Sequence, residues 1–317
     1  MNWTWTRFYV SKGSDLMFIK TLQLQGMLFI IMLMGVVLNK CNIIDKSSNK
    51  NLTDILLYLI LPCSILMSFQ TDITQEVLKS SLIVLLIGFF VEIFSLLLSK
   101  VLFNKFPKNQ KVVLQYGLIV SNASFMGLVV MEGILGPKGL LYGSISLIAL
   151  RIFVWSAGLS LFTETSKKEM IRSVITHPCV ITVIIGFMMM YFEIKFPQMI
   201  ATALKNVGNC TTAISMIIIG NTLAGVKPSS IISKPILYFC MIRLVIMPIL
   251  VYLSLAFTNI DPIIIGVAII SAAMPAGSTT AILAEKYNCD SEFAVKCVFS
   301  STLLSLVTIP VISLFLI

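Results

Sequence analysis

The sequence is poor in charge. Only 12% of its 317 residues are Asp, Glu, Lys or Arg, 57% are hydrophobic, and the mean hydropathy is +0.98. Soluble domains carry about 25% charged residues. This shortage excludes an ordinary soluble protein and predicts an integral membrane protein.

Groups that bind metals or perform catalysis are equally scarce. The chain has one histidine, His177, which precedes Pro178 at a loop end, and seven cysteines with no C-x-x-C pair. It also lacks a glycine-rich phosphate-binding loop. An intramembrane enzyme would need paired His, Asp or Glu groups near the interface. We therefore predict no catalytic residues, no metal site and no cofactor.

The net charge of +9 is spread over short connections rather than collected on one soluble face, which argues against a nucleic-acid partner. Of 23 Lys and Arg residues, fourteen follow the odd-numbered apolar spans and seven lie in the other connections and termini. Cytoplasmic loops carry the excess of Lys and Arg. The distribution predicts that both termini lie outside the cell.

Long apolar segments occupy most of the chain. Crossing a ~30 Å hydrocarbon core takes about 20 residues, and ten segments approach that length: residues 18–39, 52–70, 79–103, 112–133, 138–162, 178–193, 200–224, 235–257, 262–284 and 294–316. Residues 1–16 form an extension without a secretory signal pattern, and Met17 is as good a start as Met1. The expected fold is an all-α integral membrane protein with ten transmembrane helices.

The ten spans divide into two groups of five. Residues 17–163 would form the first repeat, 164–177 a cytoplasmic connection and 178–317 the second repeat. Because each half has an odd number of spans, the second would enter the membrane inverted. Inverted repeats commonly build one binding site near the bilayer midplane.

The fourth and ninth spans show a faint likeness that suits such repeats. "GLIVSNASFMG" from Gly117 stands beside "GVAIISAAMPAG" from Gly266, and the second contains Pro275 and Gly277. Proline removes a backbone donor and glycine permits unusual dihedral angles, so we expect the helix to unwind there. Unwound backbone in a membrane needs surrounding protein or a water-filled cavity, and half-helix N-termini attract anions. The alternative is a simple proline kink.

Three charges lie deep within spans: Glu92, Arg151 and Arg243. An ionised group there is costly unless it is paired or faces water. One hypothesis makes Glu92 a proton carrier or an arginine the counter-ion of a substrate. The other is a structural pair between Glu92 and one arginine. No carboxylate cluster typical of a dedicated sodium site is evident.

The sequence resembles the auxin efflux carrier family, which includes plant auxin exporters and bacterial malate permease-like proteins. The likeness runs from Met17 onward through "LFIIMLMGVVLNKCNIID", "LTDILLYLILPCSILMSFQ", "SNASFMGLVV" and "AAMPAGSTTAILAEKYN". It implies a fold like that of bile acid/sodium symporters, with scaffold and transport parts and with broken helices 4 and 9 crossing at the substrate site. Asn122 is similar to a residue that meets the substrate carboxylate, and Pro275 matches the crossover proline.

Val129 stands where the family has a proline, so we expect less unwinding in the fourth span, with Gly127 alone supplying flexibility. The predicted substrate-binding residues are Ser121, Asn122, Gly127, Pro275, Gly277 and Ser278. Polar residues of the seventh span suit either a pathway or helix packing: Asn209, Thr211, Thr212, Ser215 and Asn221.

The predicted function is a secondary carrier in the plasma membrane that moves a small organic anion, a carboxylate in particular, by alternating access. The alternatives are a sodium- or proton-coupled symporter of the bile-acid type and a membrane sensor that transports nothing. The lipid bilayer is the one certain partner. The substrate, the direction of transport, the coupling ion and a homodimer are left open.

Overall fold

The computed structural model describes residues 3–70, 75–162, 175–224 and 233–313, together with single positions between 163 and 174. Within these ranges the chain is helical. Its α-helices are α1 Trp3–Lys40, α2 Lys46–Ile55, α3 Leu61–Ser68, α4 Gln75–Leu102, α5 Lys108–Ile119, α6 Leu128–Phe153, α7 Pro178–Tyr191, α8 Gln198–Gly208, α9 Thr211–Leu223, α10 Lys234–Met241, α11 Met247–Leu255, α12 Pro262–Ala273, α13 Thr279–Lys286 and α14 Ser291–Ser313.

Short π-helical turns join several of these helices end to end. They cover Leu56–Ile60, Ala123–Gly127, Val154–Gly158 and Ile242–Ile246, and the 3₁₀ turn Leu159–Leu161 follows the third of them. The extension predicted at residues 1–16 continues into the membrane segment, because α1 runs from Trp3 without a break.

Six helical stretches of the described residues are long and apolar enough to cross a membrane. They are Leu22–Lys40, Ser48–Ser68, Glu76–Leu102, Ala123–Leu161, Lys234–Leu255 and Ser291–Ser313, and two shorter apolar helices are Pro178–Tyr191 and Pro262–Ala273. The protein is therefore a multi-pass membrane protein. Every one of the ten predicted spans coincides with helix in the described ranges, while their number and inverted arrangement stay predictions.

The longest stretch folds back on itself at Gly136, whose φ of 71° lies in the left-handed region. A Cβ on Gly143 would stand 2.5 Å from the sulfur of Met131, and twelve residues of straight helix would place these positions about 18 Å apart. Glycine is the residue that tolerates this backbone, and Pro137 then starts the next helix. The break falls between the predicted fourth and fifth spans.

The helices pack in two groups that draw on both halves of the sequence. In the first group α1 packs along α9, and α3 packs against α7 and α8. Gly35 and Gly220 allow close approach of α1 and α9, and the Asn39 amide donates to Asn221 Oδ1 at 2.7 Å. The second group contains α4, α5, α6 and α10 to α14, and it meets the first group where α14 and α6 pack against α1 and where α6 packs against α3.

Polar residues of the seventh predicted span mostly bond within the first group. Thr211 donates to the Gly208 carbonyl at the end of α8, Ser215 donates to the Thr212 carbonyl within α9, and Asn221 accepts from Asn39 on α1. These contacts favour the helix-packing interpretation of that span.

Candidate functional site

Two interrupted helices cross in the second group. α5 ends at Ile119 and the chain is extended at Val120, while α12 ends at Ala273 and is extended at Met274. The Asn122 N–H donates to the Pro275 carbonyl at 2.8 Å, and the Gly277 N–H donates to the Val120 carbonyl at 2.9 Å. Ser121 and Ala276 thus form an antiparallel β-bridge, the only one among the described residues.

This bridge supplies hydrogen-bond partners for backbone that is unwound inside the membrane. A break in either helix frees donors and acceptors that hydrocarbon cannot satisfy. Here each broken strand supplies partners for the other, and the Ala276 N–H also donates to Ser301 Oγ on α14 at 3.2 Å. Both interruptions expected from the sequence are therefore present, and the ninth span is broken rather than merely kinked.

The glycines act differently from what the sequence suggested. Gly127 is helical (φ −65°, ψ −42°), and the first break lies upstream at Val120 to Asn122. A Cβ on Gly127 would stand 3.1 Å from the side chains of Ala123 and Met274. The expectation that Gly127 supplies flexibility was wrong, because the position needs close packing rather than unusual dihedrals. Val129 lies in α6 beyond the break, so a missing proline there does not prevent the interruption.

Gly277 also has a packing reason for being glycine. The φ of Gly277 does not fall in the left-handed region. Among the described glycines, only Gly136 has a left-handed φ. A Cβ there would stand 3.2 Å from Val120 Cγ1. The unwinding expected at Gly277 is present, because the residue lies in the non-helical stretch between α12 and α13. Glycine suits the position because the two strands approach closely there.

Several polar side chains surround the crossing. Asn122 is 5% exposed, and its side-chain amide forms no hydrogen bond with the described residues. Ser121 is buried beside it, and Ser278 precedes α13. The Thr280 hydroxyl, in the first turn of α13, is buried without a hydrogen-bond partner among the described residues. Free polar groups are thus present where two half-helices begin.

Arg243 joins the two broken helices on their other side. It is 2% exposed, its Nε donates to the Met274 carbonyl at 2.8 Å, and its Nη1 donates to the Leu118 carbonyl at 2.7 Å. Nη2 lies 3.4 Å from the Ser271 carbonyl. One guanidinium thus caps the C-terminal ends of α5 and α12, where the helix dipole favours a cation.

Arg151 lies in α6 and has fewer partners. Its Nη2 donates to Ser124 Oγ at 2.7 Å, while its buried Nε has no hydrogen-bond partner in the described residues. Ser124 belongs to the turn Ala123–Gly127 that follows Asn122. Arg151 therefore lies beside the crossing with part of its hydrogen-bonding capacity unused.

Glu92 does not form the direct ion pair that one hypothesis required. It is 5% exposed on α4, and its Oε2 has no hydrogen-bond partner among the described residues. It lines a small cavity with Ser146 of α6 and Ser271 of α12, close enough to Arg243 for electrostatic attraction. Arg243 contacts carbonyls instead, because the ends of α5 and α12 offer unpaired acceptors.

Sequence reasoning missed some residues of the crossing. The Tyr116 hydroxyl lies 3.2 Å from Thr279 Oγ1, so it links α5 to the start of α13. Ser301 supports the bridge from α14, and Ser124 receives Arg151. The run of hydroxyl residues that follows Gly277 in the sequence could have pointed to Thr279. Tyr116 and Ser301 gave none, because a single tyrosine or serine in an apolar span is ordinary.

Comparison with known proteins agrees with this geometry. The sequence profile of the membrane transport protein family matches residues 26–313. The chain belongs to this family. The match covers nearly the whole chain and confirms the resemblance to auxin efflux carriers. The family is one of transporters and not of enzymes.

Two relatives extend the comparison. An uncharacterized transporter of Methanocaldococcus jannaschii is 24% identical over 304 residues, which cover 88% of this chain and 94% of the relative. A protein of Rhizobium meliloti named "Putative malonate transporter" is 24% identical over 139 residues, which cover 44% of this chain and 43% of the relative.

Proposed function

We propose that this membrane transport protein is a secondary carrier for a small organic anion, a carboxylate in particular, and that it works by alternating access in the plasma membrane. The observation that carries the proposal is the crossing itself, with the unengaged Asn122 amide between two half-helices. An amide both donates to and accepts from a carboxyl group. The name of the Rhizobium relative also supports a carboxylate.

The charge distribution favours an anion over a cation. Arg151 and Arg243 flank the crossing, and the half-helices that begin at Ala123 and Thr279 direct their positive ends toward it. Among the described carboxylates, Glu92 is the one close enough to Arg243 to attract it, and it lines a small cavity whose lining does not include Asn122. A cation at the crossing would meet net repulsion.

Two packing groups suit a rocking mechanism. The crossing belongs to the second group, and its turn Ala123–Gly127 contacts α9 of the first group. We assign α1 to α3 and α7 to α9 to a scaffold and the remaining helices to a moving transport part. Within this scheme the ten spans form two inverted five-helix repeats, with one broken helix from each. Rocking of one part against the other would open the crossing to either side.

Proton coupling is the second candidate function that an observation favours. Glu92 has an unpartnered oxygen beside a cavity and lies within electrostatic range of Arg243. A carboxyl group in that setting changes charge when it binds a proton, without needing further ligands. This setting of Glu92 supports proton coupling.

The test is transport by purified protein in liposomes. Uptake of radiolabelled mono- and dicarboxylates would be measured under imposed pH, sodium and voltage gradients. We expect saturable uptake that falls at least about tenfold in Asn122→Ala. Asn206→Ala, a change at an exposed residue of α8, is the matched control and should transport like the wild type.

Either of two results would contradict the proposal. If folded protein takes up no carboxylate under any gradient, carboxylates are excluded as the substrate class and a sensor is favoured. Equal uptake by wild type and Asn122→Ala would move the site away from the crossing.

A further inference from the structure

A small cavity lies between α4, α6 and α12. Its polar lining consists of Glu92 of α4, Ser146 of α6 and Ser271 of α12, and its other lining residues are apolar. The cavity has room for about one water molecule. The buried Oε2 of Glu92 has no hydrogen-bond partner among the described residues. The carboxyl group therefore borders a space that a neighbouring donor can enter.

Ser271 connects this cavity to Arg243. The Ser271 carbonyl accepts a hydrogen bond from Arg243 Nη2 at 3.4 Å, which is longer than the usual range of about 2.7–3.2 Å. The other two bonds of Arg243 are shorter, at 2.8 Å from Nε to the Met274 carbonyl and 2.7 Å from Nη1 to the Leu118 carbonyl. Nη2 is thus the most loosely held nitrogen of the guanidinium, and the residue that holds it lines the cavity of Glu92.

Arg243 is also the charge that acts on Glu92. The helices α5, α6 and α12 pack against α4, and among the described residues Arg243 is the one charged group that attracts the Glu92 carboxylate. The hydroxyls of Ser146 and Ser271 do not titrate near neutral pH. Because an unpaired carboxylate inside a membrane protein is costly, an ionised Glu92 would be stabilised by direct contact with the guanidinium.

We propose that Arg243 is a positioning residue that transmits the charge of Glu92 to the crossing. This inference rests on the proton-coupled form of the proposed function. When Glu92 is protonated, Arg243 caps the ends of α5 and α12 as described above. When Glu92 releases its proton to water, Nη2 leaves the Ser271 carbonyl and turns into the cavity, because its hydrogen bond to a carboxylate is stronger than one to a neutral carbonyl.

This movement loosens the crossing. The guanidinium is planar and rigid, so turning Nη2 also draws Nε and Nη1 away from the Met274 and Leu118 carbonyls. Met274 precedes Pro275, whose carbonyl accepts from the Asn122 N–H at 2.8 Å. Substrate binding at an ordered crossing is therefore strongest when Glu92 is protonated. By thermodynamic linkage, a bound substrate favours proton uptake on Glu92 to the same extent.

The test measures hydrogen–deuterium exchange of the purified protein in detergent, at about pH 6 and about pH 9. Peptides that contain Asn122 or Gly277 report opening of the bridge, because the N–H groups of both residues donate across it. Intrinsic exchange rises with pH, so the wild type is compared with Glu92→Gln at each pH. We expect equal exchange at the lower pH and at least about tenfold faster exchange of the wild type at the higher pH.

Two controls accompany this comparison. Glu292→Gln, which removes the exposed carboxylate of a surface pair, should exchange like the wild type at both pH values. Arg243→Lys keeps the positive charge but loses the planar fork. In that background we expect Glu92→Gln to cause no further change in exchange, because the guanidinium that links Glu92 to the crossing is absent.

A direct measurement of the guanidinium covers the case in which Arg243→Lys does not fold. The chain has four arginines, so the ¹⁵N resonance of Arg243 Nε can be assigned by substituting Arg7, Arg151 and Arg172 in turn with lysine. We expect this resonance to shift between the two pH values in the wild type. In Glu92→Gln it should stay at its low-pH position.

Three results would overturn the inference. The first is wild-type exchange at the higher pH that does not exceed that of Glu92→Gln. The second is an effect of Glu92→Gln that is as large in folded Arg243→Lys as in the wild type. The third is an Arg243 resonance that responds to pH equally with and without Glu92. None of these measurements uses a substrate, so carboxylate transport is tested separately by the liposome assay.

Discussion

Arg243 and Arg151 each place a guanidinium group beside the crossing, but the surroundings of the two groups differ. Three carbonyl oxygens surround the guanidinium of Arg243, whereas Arg151 contacts one hydroxyl and leaves Nε unpaired. A buried guanidinium whose nitrogens all donate hydrogen bonds within the protein stabilises the structure. A guanidinium with an unpaired nitrogen is available to a ligand. Residue type and depth in the membrane do not distinguish these roles, while the acceptors around each side chain do.

Removing Arg243 should produce the largest effect. Arg243→Gln leaves the carbonyls of Leu118 and Met274 without their cation at the two helix ends. Hydrogen bonds to charged groups contribute about 1.5–3 kcal/mol each, so we expect at least about 3 kcal/mol of destabilisation. The measurement is thermal unfolding in detergent, with Arg151→Gln as the matched control that changes stability little. Equal losses in both variants would abolish the distinction between the two arginines.

Crowding the bridge should have the next largest effect. Gly277→Val places a side chain within 3.2 Å of Val120 Cγ1, and overpacking of this kind costs about 1–3 kcal/mol. Because the bridge holds both half-helices, uptake should fall along with stability. Gly26→Ala is the control, since a Cβ there meets nothing within 4 Å. A fully active Gly277→Val protein would mean that the crossing tolerates separation of its strands.

Neutralising Glu92 should change the pH dependence of uptake rather than the fold. Glu92→Gln keeps the shape of the side chain and removes its charge beside the cavity near Arg243. We expect the variant still to bind substrate. We also expect that a proton gradient no longer accelerates its uptake. Uptake would be compared with and without an imposed pH gradient, using Glu292→Gln, on the exposed side of an i,i+4 pair, as the control. Undiminished acceleration in Glu92→Gln would exclude it as the proton site.

The sequence was sufficient to predict an all-helical, multi-pass membrane protein and the position of the second break. Long apolar runs predict spans because hydrocarbon thickness fixes their length, and Pro275 predicts a break because it cannot donate within a helix. The first break has no proline. Val120 is extended because the opposite strand offers it partners, and that is a long-range contact which no local pattern contains.

The same limit applies to the candidate site. Asn122 was predicted from the family resemblance and the three intramembrane charges from their cost in lipid, but the partners of these residues were not predicted. One hypothesis paired Glu92 with Arg151 or Arg243, but Arg243 contacts carbonyl acceptors that exist only because two helices end side by side. Tyr116 and Ser301 join the crossing through tertiary packing alone.

The single histidine offers the mildest test of the charge on Arg151. Burial, and after it the positive charge of Arg151, lowers the pKa of His177 to about 3, so the imidazole is neutral at physiological pH. Removing that charge in Arg151→Gln should raise the pKa, though not to the ordinary value of about 6.5, because burial persists.

Titration of the His177 resonance by NMR in tag-free protein would measure this pKa without ambiguity, because the chain has one histidine. Arg151→Lys keeps the charge and should leave the pKa low. A carboxylate substrate bound to wild type should act in the same direction as Arg151→Gln if it lies at the crossing, because a negative charge beside the guanidinium offsets its field at the imidazole. If neither the substitution nor the ligand changes the pKa of His177, the charge of Arg151 lies far from both His177 and the substrate.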